Sequence, residues 1–153
     1  MESVSENLAT WQRVFRQGLL PQFTKKSMEA FYAALLRDDP RIITGATMAP
    51  PPLSCMEGEA VERCCPLCWL LLDGRKPYEV SVGPLDERFA KACFECDQLM
   101  GEPASARAFL NAVDEWDRET MRKNLMAEIE VHFARAPLRT QLASSVAVAQ
   151  QVA

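Results

Sequence analysis

The chain has 153 residues, of which 48% are hydrophobic and 25% are charged. A chain of this length and composition can bury one sizeable core, so we expect a single compact domain. Its 21 acidic and 17 basic side chains give a net charge of −4, which offers no electrostatic case for binding nucleic acid or an anionic membrane.

The N-terminal residues carry no targeting signal that we can identify. Residues 1–15 lack the basic start and the continuous apolar core of a secretory signal, and we therefore expect a cytoplasmic protein. No stretch approaches the roughly 18 apolar residues that a membrane-spanning helix needs, so the sequence predicts no membrane contact.

Two amphipathic helices are predicted first. One covers residues 6–20, with Ser5 as its cap and Pro21 after its end. The second runs from Lys25 to Arg37 and ends at a break beginning with Asp38. Residues 44–59 contain glycines and three consecutive prolines, a composition typical of an irregular connection laid over the core.

Five of the six cysteines follow in residues 64–96, and four of them form two Cys-x-x-Cys pairs. A two-residue gap lets a tight turn direct two sulfur atoms at one point, and a tetrahedral zinc ion takes four thiolates. The pairs therefore predict one zinc site, with Cys65, Cys68, Cys93 and Cys96 as ligands. Cys64 is an alternative to Cys65, and Cys55 is predicted to be a loop or core thiol.

The residues between the pairs predict a β-hairpin followed by a helix. Residues 69–72 are apolar, Asp73-Gly74 is a turn signal, and residues 78–82 alternate as a half-buried strand would. After Gly83-Pro84 the apolar positions recur at helical spacing as far as Met100.

A knuckle, a hairpin and a helix carrying the second cysteine pair resemble a treble-clef or zinc-ribbon module. The resemblance covers residues 64–96 only and rests on the order of the motifs. It implies that the four paired cysteines occupy the ligand positions of such a module. Four thiolates would close the coordination sphere, so the resemblance implies a structural metal.

Other interpretations of the same cysteines stay open. Cysteine behaves as a small apolar residue, so the pairs can instead be reduced thiols in a core. Disulfide, iron–sulfur and redox interpretations also remain, the last with Cys65 and Cys68 as the active pair, because a thiol at a helix start has a lowered pKa. The mostly helical pattern lacks the strand–helix–sheet framework of thioredoxin-like proteins.

A long helix is predicted from about Glu102 to Arg135, after Gly101 ends the preceding helix. Its apolar stripe rotates around the axis, so the helix is either buried on more than one side or broken near residues 117–119. Residues 137–153 form a weakly apolar tail. We consider three possibilities for this tail: a terminal helix packed on the core, a flexible end, or a segment that pairs with another protein.

The sequence thus predicts a mainly α protein: one domain of four to five helices over residues 1–136, with a small β-hairpin in a cysteine-rich module at residues 64–100. His132 is the only histidine and lies on an apolar helix face, as a core histidine would. Since no catalytic motif is present, we expect a non-enzymatic, protein-binding adaptor or regulator with a protein partner. The alternatives are a thiol redox protein using Cys65 and Cys68, or a nucleic-acid-binding zinc module, which the local charge disfavours.

Overall fold

The computed structural model describes residues 4–135, and the side chains of residues 8–134. The tail predicted at residues 137–153 lies outside this range. The described chain confirms the mainly α class, with six α-helices and one short antiparallel strand pair. The elements are α1 (Val4–Val14), α2 (Lys25–Leu36), β1 (Met48–Ala49), β2 (Arg63–Cys64), α3 (Pro66–Leu71), α4 (Val82–Met100), α5 (Ser105–Glu115) and α6 (Arg118–Arg135).

None of the described helices combines the length and the apolar character that crossing a membrane requires.

Helix α1 continues into a π-helical turn and then into a 3-10 turn. The π turn spans Phe15–Leu19 and the 3-10 turn spans Leu20–Gln22. Gly18 lies in the π turn against α4, where a Cβ atom on it would come within 2.6 Å of the Cys96 sulfur. The missing side chain therefore lets this stretch approach α4 closely.

Helix α2 is tied to α3 at its first turn. The side chain of Thr24 accepts a hydrogen bond from the backbone N–H of Ser27 at 3.1 Å, as an N-cap should. The Ser27 hydroxyl is itself buried and donates to the backbone carbonyl of Leu70 at the end of α3. One turn of α2 therefore pairs its own Ser27 N–H and adds a donor to the Leu70 carbonyl, which also accepts the Asp73 N–H at 3.4 Å.

The predicted position of the hairpin is wrong. The strand pair joins Met48 to Cys64 and Ala49 to Arg63, while residues 66–71 form α3 and residues 77–79 a 3-10 turn. Every residue of α3 is buried, and a continuous apolar run of this kind is compatible with either a buried strand or a buried helix. Pro66 at the first helical position favours the helix.

The alternation at residues 78–82 is present in the burial, but only Val80 and Ser81 are extended, between the 3-10 turn and α4. Val80 and Val82 are buried and Tyr78 is 60% exposed. Ser81 forms an isolated bridge with Ala60, so this segment pairs with the loop before β2 instead of with residues 69–72.

The long C-terminal helix is broken, which was one of the two predicted outcomes. Helix α5 ends at Glu115, Trp116 is extended, and α6 begins at Arg118. The Asp117 carboxylate accepts the backbone N–H of Thr120 at 2.7 Å and so caps α6. This break, together with α3, raises the helix count above the predicted four to five.

A buried carboxylate holds the connection between α2 and β1. Asp39 is 4% exposed and accepts hydrogen bonds from the guanidinium groups of Arg37 (2.9 Å) and Arg41 (2.6 Å). Arg118 on α6 donates to the Asp39 backbone carbonyl at 2.6 Å. Because a buried charge is tolerated only when paired, the three arginines and Asp39 fix this loop as a unit.

We expect Asp39→Asn to destabilise the protein by about 2 kcal/mol at pH 7. The Arg41 guanidinium, helped by Arg37, holds the pKa of Asp39 well below its usual range. A depressed pKa gives stability that is fully present above the unfolded pKa of about 3.9 and is lost as pH falls through the folded pKa. The difference in the free energy of unfolding between wild type and variant, measured by urea unfolding, should therefore shrink as the pH falls below about 4.

The matched control is Asp86→Asn, since Asp86 takes part in none of the ion pairs of residues 8–134. An equal loss of unfolding free energy in the two variants at pH 7 would contradict the structural role of Asp39.

Candidate dithiol site at the start of helix α3

Cys65 and Cys68 lie on the first turn of α3, and the backbone of Cys65 is held on both sides. Cys65 is the residue before the helix and Pro66 is its first residue. The Cys65 N–H donates to the carbonyl of Thr47 at 2.8 Å, and the Cys65 carbonyl accepts the N–H of Trp69 at 3.0 Å. The position of the first thiol is therefore set by strand, loop and helix together.

Cys65 and Cys68 are free thiols and do not form a disulfide bond. The Cys68 thiol is the main cause that lowers the pKa of Cys65, against the effect of burial, with a smaller contribution from the backbone N–H groups of Cys68 and Leu67. The Cys65 sulfur forms no capping hydrogen bond with these N–H groups. The pKa of Cys68 is raised by its hydrogen bond to Cys65 and by burial. Cys65 is therefore the thiol of the pair that loses its proton first.

Cys64 belongs to the strand pair and not to the dithiol. Its backbone N–H donates to the carbonyl of Arg41 at 3.0 Å, and its own carbonyl accepts from Ile43 at 3.0 Å. Its side chain is completely buried, and burial raises the pKa of the Cys64 thiol strongly. This residue has the properties of a structural core cysteine.

The second predicted pair is divided between two environments on α4. Cys93 is half-buried, and its pKa is raised to about 11 by burial and then by the charge of Cys65, so its thiol lies on the side of the dithiol. Cys96 is completely buried, and its sulfur packs against Gly18 in the π turn. Burial, Asp97 and Cys93 raise the pKa of Cys96 to about 12.

Among the side chains of residues 8–134, no three of the histidine, cysteine, aspartate or glutamate type are placed to hold a metal ion. The structure brings Cys65 and Cys68 together, places Cys93 nearby, and turns Cys96 toward another helix. The zinc site with all four cysteines stays a prediction.

The remaining candidate residues of the sequence analysis lie elsewhere. His132 is half-buried, with its ring 5.9 Å from that of Phe133. Glu128, one turn before it, is 3% exposed and accepts both hydrogen bonds of the Arg16 guanidinium, at 2.5 and 2.8 Å. Cys55 is exposed in a 3-10 turn. None of these residues adds to the dithiol.

Thr47 is the contributor to the site that sequence reasoning missed. It acts through its backbone carbonyl, which any residue type would supply, so its side chain gives no signal. The contact depends on the pairing of β1 with β2, which the sequence did not indicate.

Comparison with known proteins found no family model, no curated protein and no solved structure that matches this chain.

We expect Gly18→Ala to lower the free energy of unfolding by about 1–3 kcal/mol, as overpacking does in close-packed cores. The added Cβ atom would meet the Cys96 sulfur at 2.6 Å. Cys96→Ala should relieve part of this loss in the double variant. Urea unfolding of the two single variants and the double variant gives the coupling energy.

Gly58→Ala is the matched control, because a Cβ atom there meets nothing within 4 Å. Additive effects of the Gly18 and Cys96 substitutions would show that Cys96 does not pack on the π turn.

Proposed function

We propose that this protein is a small thiol redox protein in which Cys65 and Cys68 alternate between a dithiol and a disulfide. The observation that carries the proposal is the placement of the two thiols side by side on the first turn of α3, held there by the backbone contacts of Cys65. Two cysteines separated by two residues at a helix start are typical of redox-active pairs.

The two cysteines differ in their pKa values. Both are buried, at 4% exposed for Cys65 and 0% for Cys68, so a substrate disulfide reaches them only when the first turn of α3 opens locally. The pKa of Cys65 is the lower of the two, because the Cys68 thiol stabilises its thiolate. A nucleophilic cysteine needs thiolate character. Cys65 is therefore the attacking thiol and Cys68 the resolving thiol.

The reaction needs a disulfide as oxidant. The Cys65 thiolate attacks one sulfur of the substrate disulfide, forms a mixed disulfide and releases one substrate thiolate, which takes up a proton. The Cys68 thiol then loses its proton and attacks the Cys65 sulfur. The Cys65–Cys68 bond forms, the mixed disulfide breaks, and the second substrate thiol leaves. The pair is oxidised by two electrons and the substrate disulfide is reduced by two.

Two other predictions compete with this one. A zinc ion on Cys65, Cys68, Cys93 and Cys96 would occupy both thiols and prevent disulfide formation. The adaptor function has less support. The large exposed apolar side chains are spread over α2, a loop, a 3-10 turn and α4: Leu36, Leu53, Tyr78, Phe94 and Leu99. Single exposed apolar residues of this kind are common on soluble proteins.

We expect oxidation by 2-hydroxyethyl disulfide, a small neutral disulfide, to remove about 2 Da from the tryptic peptide 64–75 by linking two of its thiols. The experiment is done with Cys55→Ser protein, because the exposed Cys55 would react separately. Replacing Cys68 by serine should trap the hydroxyethyl mixed disulfide on Cys65. Replacing Cys65 by serine should abolish both products, because it removes the attacking thiol. Mass spectrometry of the native and digested protein identifies each species.

Cys64→Ala is the matched control, since Cys64 lies in the same peptide but outside the pair. This variant should still lose about 2 Da. Native mass spectrometry of the untreated protein tests zinc in the same sample. One zinc per chain, with loss of helical circular dichroism on chelation, would contradict the redox proposal and support the four-cysteine site. Metal-free, folded protein whose Cys65 does not react with the disulfide would contradict it as well.

A further inference from the structure

The loop of residues 43–47 holds both polar groups of the peptide bond that joins Cys64 to Cys65. At one end of the loop, the Ile43 N–H donates to the Cys64 carbonyl at 3.0 Å. At the other end, the Thr47 carbonyl accepts the Cys65 N–H at 2.8 Å. The chain enters α3 directly after this peptide bond. The first turn of α3 therefore cannot release the Cys65 N–H unless the 43–47 loop also moves.

The tip of this loop is tied to α5 by one hydrogen bond. The Gly45 N–H donates to the Asp114 carboxylate at 2.9 Å. Residues 44–46 and Asp114 are exposed, so water competes for both groups of this bond. Asp114 lies in the last turn of α5, where the helix dipole disfavours a negative charge. A partner from outside the helix is therefore what stabilises this carboxylate.

Asp114 also acts on the Cys65 thiol through its charge. The Cys68 thiol is the main cause that lowers the pKa of Cys65, and the negative charge of Asp114 works in the opposite direction. Charges act on one another most strongly at short distance. The end of α5, the tip of the 43–47 loop and the Cys65 sulfur therefore lie in one neighbourhood.

We propose that the hydrogen bond from the Gly45 N–H to the Asp114 carboxylate is a latch on the 43–47 loop, and that its release gives a substrate disulfide access to Cys65. Asp114 is a positioning residue that acts on Cys65 through the loop. The proposal rests on the redox function of Cys65 and Cys68, in which both thiols are buried until the first turn of α3 opens. It assigns that opening to one exposed contact.

The first test is amide hydrogen exchange of the full chain, measured by NMR. Asp114→Ala removes the acceptor, so opening breaks one contact fewer and the Cys65 amide should exchange about fivefold faster. Asp114→Asn keeps an acceptor oxygen and should exchange at nearly the wild-type rate. Glu115→Ala removes the neighbouring exposed carboxylate of α5 and is the matched control, with no change expected. The Cys96 amide inside α4 should exchange equally in all variants.

The second test is alkylation of the native protein with iodoacetamide, a neutral reagent. In Cys55→Ser protein, Asp114→Ala should label Cys65 about fivefold faster than Asp114→Asn does. Both variants lack the charge of Asp114, so the difference between them reports the hydrogen bond alone. Mass spectrometry of the tryptic peptide 64–75 locates the label.

An unchanged exchange rate of the Cys65 amide in Asp114→Ala would overturn the latch. Faster exchange of the Cys96 amide in the same variant would overturn it too, because the whole protein would then be less stable. Equal exchange or equal labelling rates in the alanine and asparagine variants would assign the effect to charge and contradict the hydrogen bond. Neither test needs an oxidant. A latch that opens as expected while no disulfide forms would therefore contradict the redox function alone.

Discussion

Helix α3 is buried on every side, so each polar backbone group at its ends must find a partner inside the protein. At the start, the Cys65 N–H reaches the Thr47 carbonyl. At the end, the Leu70 carbonyl accepts the hydroxyl of Ser27, and the Leu72 carbonyl accepts both the N–H and the guanidinium of Arg75. The surrounding elements are arranged so that these partners are in place.

Two arginines of α6 donate hydrogen bonds to backbone carbonyls of other elements. Arg122 of α6 donates to the carbonyl of Leu35 at 2.8 Å, and Arg118 donates to that of Ile42 at 2.8 Å. Cations at a helix C-terminus satisfy unpaired carbonyls and the negative end of the dipole. Helix α6 thereby fixes the end of α2 and the loop that leads to β1. The same loop supplies the Arg41 carbonyl, to which the Cys64 N–H donates.

The parts of the fold that depend on local chemistry were predictable from the sequence. Gly101 ends α4 with a φ angle of 69°, as a glycine C-cap should, and the helical spacing of the apolar residues located α1, α2 and α4. The hairpin predicted at residues 69–72 was wrong, because an apolar run buried on all sides has no amphipathic period to distinguish helix from strand. The pairing of Met48 with Cys64 joins separate parts of the chain, and no local sequence pattern indicates it.

Local sequence patterns are equally limited in what they predict about the cysteine pairs of the candidate site. Both have the same spacing in the sequence, yet one begins a helix and the other lies within α4. Spacing predicts that two thiols are near each other, but it does not predict which neighbouring helix each one faces. That choice depends on packing, and for Cys96 it depends on a glycine in a π turn far away in the sequence.

The contact between Gly18 and Cys96 also keeps oxidants away from the Cys96 sulfur. A close-packed, completely buried sulfur has no room for the oxygen atoms of a sulfenic or sulfinic acid unless α4 separates from the π turn. Cys64, Cys65 and Cys68 are also buried, whereas Cys55 is exposed and Cys93 is half-buried. A chain with six cysteines therefore presents only some of them to its surroundings, and packing protects the others from oxidative damage.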